Sequence, residues 1–205
     1  MTAYENTFRV THIPTGEMID FNGIVENFQD EISPSWNTEE VYGRMDPIVT
    51  YQNTSRRIKL DLEFDIVGAA SISEKLKLFK DFNKFYRFIY PTYEKAEYAT
   101  TLKEAPLLRI RWFNMLQSAG EKGLLVAPTS FNITNSATKT KIQESPLIYA
   151  SDKIRVNLEA IVLHESPPGW QEVDATGKFT FKDESMVFPY LTGKLLKWQQ
   201  EDIKI

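Results

Sequence analysis

The run Arg57 to Val67, RIKLDLEFDIV, alternates without a fault. Ile58, Leu60, Leu62, Phe64 and Ile66 are apolar, and Arg57, Lys59, Asp61, Glu63 and Asp65 between them are charged. A strand turns successive side chains to opposite faces, so this segment has one buried face and one charged face. No helical period fits it. A chain containing this strand must build a sheet with a core on one side. The five charged residues then face water, on an outer surface or in a lumen.

A second long alternator, Lys153 to His164, places Ile154, Val156, Leu158, Ala160 and Val162 inward. Leu108, Ile110, Trp112, Asn114 and Leu116 share one face of another segment, and Leu124 to Thr134 returns from it, with a break expected at Pro128. Thr7 to Ile13 reads as a first strand, closed by the turn Pro14-Thr15-Gly16. Asn22-Gly23 is a hairpin signal, so two short strands are expected to pair around it within Glu17 to Phe28. Asn135 to Ser145 reads as a polar loop. Ser166 to Ile205 reads as an irregular C-terminal segment with short β pieces near Phe179-Thr180-Phe181 and an amphipathic turn at Leu195 to Trp198.

One helix is expected, over about 71–90. Ser71-Ile72-Ser73-Glu74 is a capping-box pattern. Ile72, Leu76, Phe79, Phe82, Tyr86 and Ile89 recur at three- and four-residue spacing and read as its buried stripe, and Pro91 ends it. Lys77, Lys80, Lys84 and Arg87 form a basic stripe on the opposite face. The order of strands, one helix and more strands gives a mainly β, α+β layout in a single domain over residues 1–205.

The stretch from about Asp30 to Asn53 has no regular period and contains Pro34, Gly43 and Pro47. It reads as a long loop, about 33–55, held in order by its aromatics. Trp36, Tyr42, Arg44, Met45 and Tyr51 are residue types that anchor protein interfaces, and Asp46-Pro47 reads as a turn. The other reading has these aromatics covering one end of the core.

Charge is asymmetric. Residues 1–50 hold nine acidic and two basic side chains, −7, while the whole chain of 205 residues is −4. An acidic patch meeting the basic helix stripe of another copy is one reading, and solvated acidic loops the other. No run approaches the length of a membrane span and the N-terminus carries no signal peptide pattern. The chain has no cysteine. Disulfides, thiolate metal sites and a cysteine nucleophile are thereby excluded.

Catalytic grammar is missing from the sequence. His12 and His164 stand singly in strands, without metal-ligand spacing, and read as surface or edge residues. Glycines are scattered singly, with no phosphate loop and no Gly-x-Ser-x-Gly. Asp61, Glu63 and Asp65 share a face and could bind a cation or do acid–base work. The alternative is a solvated face balanced by Arg57 and Lys59. The expectation is a chain with no enzymatic activity and no cofactor.

The run W-N-T-E-E-V-Y-G-R-M-D-P-I, Trp36 to Ile48, followed by Tyr51, Thr54 and the alternating strand, resembles tail-tube and baseplate tube-initiator proteins of tailed bacteriophages. The Y-P-x-Y at Tyr90 to Tyr93 and the Pro106-Leu107 pair ahead of a strand are similar to the same family. The likeness covers about 33–115. It implies a β-sandwich or rolled sheet flanked by one helix. It also implies a structural virion protein in which six copies form a ring and rings stack, with DNA as a non-specific passenger in the lumen. The loop at 33–55 is then the segment reaching a neighbouring ring. Trp36, Tyr42, Arg44, Asp46, Tyr51, Lys77, Lys80, Lys84 and Arg87 are the expected interface residues. Partners would be adjacent tube or baseplate rings, with sheath and tape-measure proteins, in a tail (of contractile type) assembled in the bacterial cytoplasm. Other classes are a carbohydrate- or ligand-binding β-sandwich module, which would need a concave aromatic cluster using Trp112 and Trp170, and an enzyme of dispersed carboxylates.

Overall fold

The structure is a computed structural model and describes residues 7–69, 71–94, 101–113, 115–116, 123–143, 148–165, 169–172, 177 and 179–181. It is mainly β, with one helix among the described residues. The elements run β1 (Thr7–His12), β2 (Met18–Asn22), β3 (Val25–Glu39), β4 (Ile48–Asp65), α1 (Ile72–Arg87), β5 (Thr92–Tyr93), β6 (Leu102–Glu104), β7 (Leu108–Trp112), β8 (Leu124–Asn135), β9 (Lys139–Gln143), β10 (Ile148–Ser151), β11 (Lys153–Val162), β12 (Trp170–Glu172) and β13 (Phe179–Phe181). Seven of the strands form one antiparallel sheet in the order β2-β1-β7-β8-β11-β4-β3, and the other described strands form three two-stranded ribbons, β9 with β10, β12 with β13 and β5 with β6.

The two long alternators lie side by side near one end of this sheet. Register runs from Lys153 opposite Asp65 to Ile161 opposite Arg57. Their inward residues meet in phase: Ile58, Leu60, Leu62, Phe64, Ile154, Val156, Leu158 and Ala160 are all buried. β8 does not stop at Pro128. It continues past it, with a register shift opposite Glu159 and Ala160. β7 pairs with β8 only as far as Val126, so the missing amide of Pro128 interrupts no bond to β7.

The turn at Asn22-Gly23 joins strands that do not pair with each other. β2 pairs with β1, and β3 pairs with β4 at the opposite edge of the sheet. Gly23, at φ 64°, and Ile24 are the only residues between them. Three virtual bonds of 3.8 Å span at most about 11 Å, so the two edges come together there. The sheet therefore rolls, and of the sandwich and rolled-sheet expectations the roll describes it. The Ile24 carbonyl accepts from the Glu63 amide at 2.8 Å, and Phe21 of β2 meets Phe64 of β4 edge-on at 5.0 Å between centroids. Across the roll, Phe28 of β3 meets Trp112 of β7 at 6.0 Å.

Helix α1 supplies the rest of the core. Ser71 caps it, its Oγ accepting from the Glu74 amide at 3.1 Å. The helix ends at Arg87, ahead of Tyr90, and Phe88 is its C-terminal cap. Of the expected stripe, Phe82 is buried and Leu76, Phe79 and Ile89 are half-buried against the core, whereas Ile72 and Tyr86 are exposed, and Phe85 and Phe88 are buried in addition. Phe85 touches Phe21 and Phe131, Phe82 touches Phe64, and Phe88 stacks on His12. Three phenylalanines at i, i+3 and i+6 bury more apolar area than Ile72 and Tyr86, so they set the rotation of the helix.

The segment 135–145, expected as a loop, contains β9, whose partner is β10. The expected turn at Leu195 to Trp198 lies outside the described residues. Among the described residues no helix is long and apolar enough to cross a membrane.

Candidate functional site

The segment expected as a loop at 33–55 is most of a long hairpin. β3 and β4 pair continuously from Val25 opposite Leu62 to Glu39 opposite Ile48, with small register shifts. β11 covers β4 only from Arg57 onward, so Ile48 to Arg56 have β3 as their one neighbour in the sheet. Nine residues at about 3.3 Å each carry this arm some 30 Å beyond the rest of the sheet. Pro34 is accommodated because β3 is an edge strand. Gly43, at φ 84°, shapes the tip.

The arm is exposed on both faces. Residues 36–54 are all solvent-accessible, and Ile32, Trp36, Val41, Tyr42, Met45, Ile48, Val49 and Tyr51 are exposed large apolar or aromatic side chains. Tyr42 and Met45 at the tip are as open as in an extended peptide, at 105% and 103% relative exposure. Arg44 and Asp46 are exposed beside them. Trp36 and Tyr51 are cross-strand partners whose rings meet edge-on at 5.3 Å. The Tyr51 hydroxyl is 2.7 Å from Thr54 Oγ1. These aromatics do not cover the core, which was the other reading of the run.

At its root the arm is pinned by a pair that sequence reasoning missed. Arg56 is two residues from Ile58 and shares its inward face, and it is 2% exposed. Its Nε donates to both carboxylate oxygens of Asp30, at 2.9 and 3.1 Å, and its Nη2 donates to Oδ2 at 2.5 Å. The signal was present: Arg56 continues the inward alternation of Ile58, Leu60 and Leu62 backward by one step.

The charged face of β4 is balanced by other strands, not by Arg57 and Lys59 as expected. Glu63 accepts from Lys153 Nζ at 2.5 Å and from Arg155 Nε at 2.7 Å, both on β11. These two hydrogen bonds hold its carboxyl below the usual range. Asp61 accepts from Asn157 at 2.6 Å and Asn27 at 3.2 Å. Asp65 accepts from the Gly68 amide at 2.9 Å in the turn before α1. Arg57 and Asp65 are exposed, and Lys59, Asp61 and Glu63 are half-buried.

The basic helix stripe divides between two concavities. Lys77 lines an acidic one of about 450 Å³ with Asp20, Asp65, Glu74 and Asp81. Lys80, Lys84 and Arg87 line a larger one of about 770 Å³, together with His12, Thr15, Glu17, Phe79, Phe88 and Thr92. Lys84 pairs with Glu17 at 3.0 Å.

His12, expected at the surface, is a buried residue in this wall. It stacks on Phe88 at 5.0 Å, and its Nδ1 is 2.9 Å from Thr15 Oγ1. Burial pushes its pKa down, against smaller opposing effects of Glu17 and Glu104. His12 Nε2 and Thr92 Oγ1 have no hydrogen-bond partner. The concave aromatic cluster that a sugar-binding module would need is not formed around Trp112, which packs against the core beside Phe28 and Phe113. Trp170 stands exposed on the β12–β13 ribbon.

Compared with known proteins, the chain matches no protein-family model and no curated protein.

Proposed function

We propose that this chain is a structural subunit of a bacteriophage tail, forming a hexameric ring of the tail tube or of the baseplate complex that initiates it, with a lumen that passes DNA. The observation that carries the reading is the arm. A hairpin that extends some 30 Å past its own sheet and exposes Trp36, Tyr42, Met45 and Tyr51 holds no core of its own. Apolar and aromatic anchors exposed together on one ribbon, with Val41, Ile48 and Val49 beside them, fit a partner surface. The resemblance of Trp36 to Ile48 to tube proteins falls on this arm.

Two further features support a subunit that joins copies of itself. The outer edges of β2 and β3 carry no further strand among the described residues, and open edges pair readily with another chain. The acidic arm and the basic wall of the larger concavity are complementary in charge. In this reading the chain's work is assembly, with no catalytic step. Negative-stain images of the purified protein test it. Rings or short stacked tubes are expected, and uniformly dispersed single chains would remove it.

A further inference from the structure

Lys80 and Arg87 line the larger concavity without an ion-pair partner among the described residues, and the lining carboxylate, Glu17, is engaged by Lys84. Like charges three and four residues apart on one helix face repel, and the one lining carboxylate leaves Lys80 and Arg87 without a counter-charge among the described residues. Two of its lining side chains, His12 and Thr92, also each keep a polar atom without a hydrogen-bond partner. Between these groups the wall is apolar, with Leu76 and Phe79. The occupant that fits carries carboxylates next to large apolar side chains.

The tip of the arm has that composition. Glu39, Glu40 and Asp46 flank Tyr42 and Met45, with Arg44 the one cation among them. The tip is preformed: the Arg44 amide donates to the Val41 carbonyl at 3.2 Å and Gly43 takes the left-handed conformation the turn needs. Tyr42 and Met45 are fully exposed.

We infer that the arm tip, Glu39 to Asp46, of one copy docks in the concavity lined by Lys80, Lys84 and Arg87 of a second copy. The inference rests on the reading of the arm as a contact between copies, and it names the seat of that contact. Tyr42 and Met45 lie against Leu76 and Phe79, and the carboxylates face Lys80 and Arg87. A preformed ribbon loses little entropy on docking.

Charge reversal with rescue tests this. In the full chain, Lys80→Glu with Arg87→Glu should weaken self-association at least about ten-fold, read by analytical ultracentrifugation. Adding Glu39→Lys, Glu40→Lys and Asp46→Lys to the same chain should restore it to within about three-fold. A fold-independent readout uses the absence of cysteine in the chain. Mixed Met45→Cys and Asn83→Cys chains should form an intermolecular crosslink with a short bismaleimide, and the crosslink should be lost when Lys80 and Arg87 are reversed. Unchanged association after the reversal, or no crosslink, overturns the seat. If Trp36→Ala still weakens association in that case, the arm remains a contact and only its seat is wrong. Weakening without rescue assigns the concavity to a different segment of the second copy and also overturns the inference. A wild-type chain that stays single at every concentration overturns both the seat and the reading beneath it.

Discussion

The Arg56 guanidinium grips both carboxylate oxygens of Asp30 on the inward face of the sheet, where the arm leaves the core. The arm has no apolar core of its own, so its direction is set at this root. A bidentate pair with its guanidinium buried and its carboxylate half-buried resists bending, because displacement strands the Arg56 charge away from water.

Removing one partner should therefore be costly. Asp30→Ala is expected to destabilise the monomer by about 3–5 kcal/mol, since the buried Arg56 guanidinium loses its bidentate carboxylate. Replacing both, as Arg56→Met with Asp30→Leu, should recover most of that loss. Urea denaturation of the three chains checks it. Equal destabilisation by the single and double changes would show that the pair does more than satisfy its own charges.

At the exposed part of the arm the expectation reverses. Trp36 is half-exposed and meets Tyr51 edge-on. Trp36→Ala should leave the melting of the single chain nearly unchanged while weakening association by ~2 kcal/mol or more. Thermal melts and sedimentation on the same samples separate the two effects. Loss of soluble, folded chain would make Trp36 a core residue and remove the arm as an interface.

The helix makes a test of which stripe is buried. Phe85→Ala should cost about 3–5 kcal/mol, because it leaves a void among Phe21, Phe131 and the sheet. Ile72→Ala, at an exposed first turn, should change stability by no more than about 0.5 kcal/mol. Comparable costs at the two positions would contradict the observed rotation of α1.

His12 gives a pH dependence with a definite sign. Its pKa in the fold lies below the ordinary value of 6.5, chiefly through burial. Between the two values the unfolded chain binds the proton and the folded chain does not, so stability falls as pH drops below 6.5 and levels off under the folded value. Glu63 and Asp20, also held low, act in a separate window. The stability they give is full above the ordinary carboxylate value and is lost as pH falls through their folded values. His12→Phe keeps a ring against Phe88 and should flatten the dependence between pH 7.5 and 5.5 while leaving the acid limb intact. Melting temperatures across that range check it. An unaltered slope would place the dependence on another group.

The central strands were legible because each has one wet and one dry face, and burial writes a period of two into Ile58 to Ile66 and Ile154 to Val162. The arm was not, for the same reason. A ribbon with both faces in water needs no alternation, so β3 and the first half of β4 read as a loop. Asn22-Gly23 announced a turn correctly but could not say that its flanking strands belong to opposite edges of a roll. That pairing is set by where β1 and β4 already lie. The helix stripe was legible at Leu76, Phe79, Phe82 and Ile89 but not at Phe85 and Phe88, which share its period and are chosen over Tyr86 only by the facing Phe21, Phe131 and His12. Of the candidate site, the arm residues and the basic stripe were nameable from residue types. Arg56 and His12 each continue an inward alternation, but their partners, Asp30 and Phe88, depended on long-range packing.

The mass of the particle in solution, measured by light scattering over a range of concentrations, tests the central claim most directly. Six copies of the 23.7 kDa chain, or stacks of that unit, are expected, with Trp36→Ala shifting the distribution toward the single chain. A constant mass of 23.7 kDa at every concentration, for a chain that is folded by circular dichroism, would contradict a ring-forming subunit.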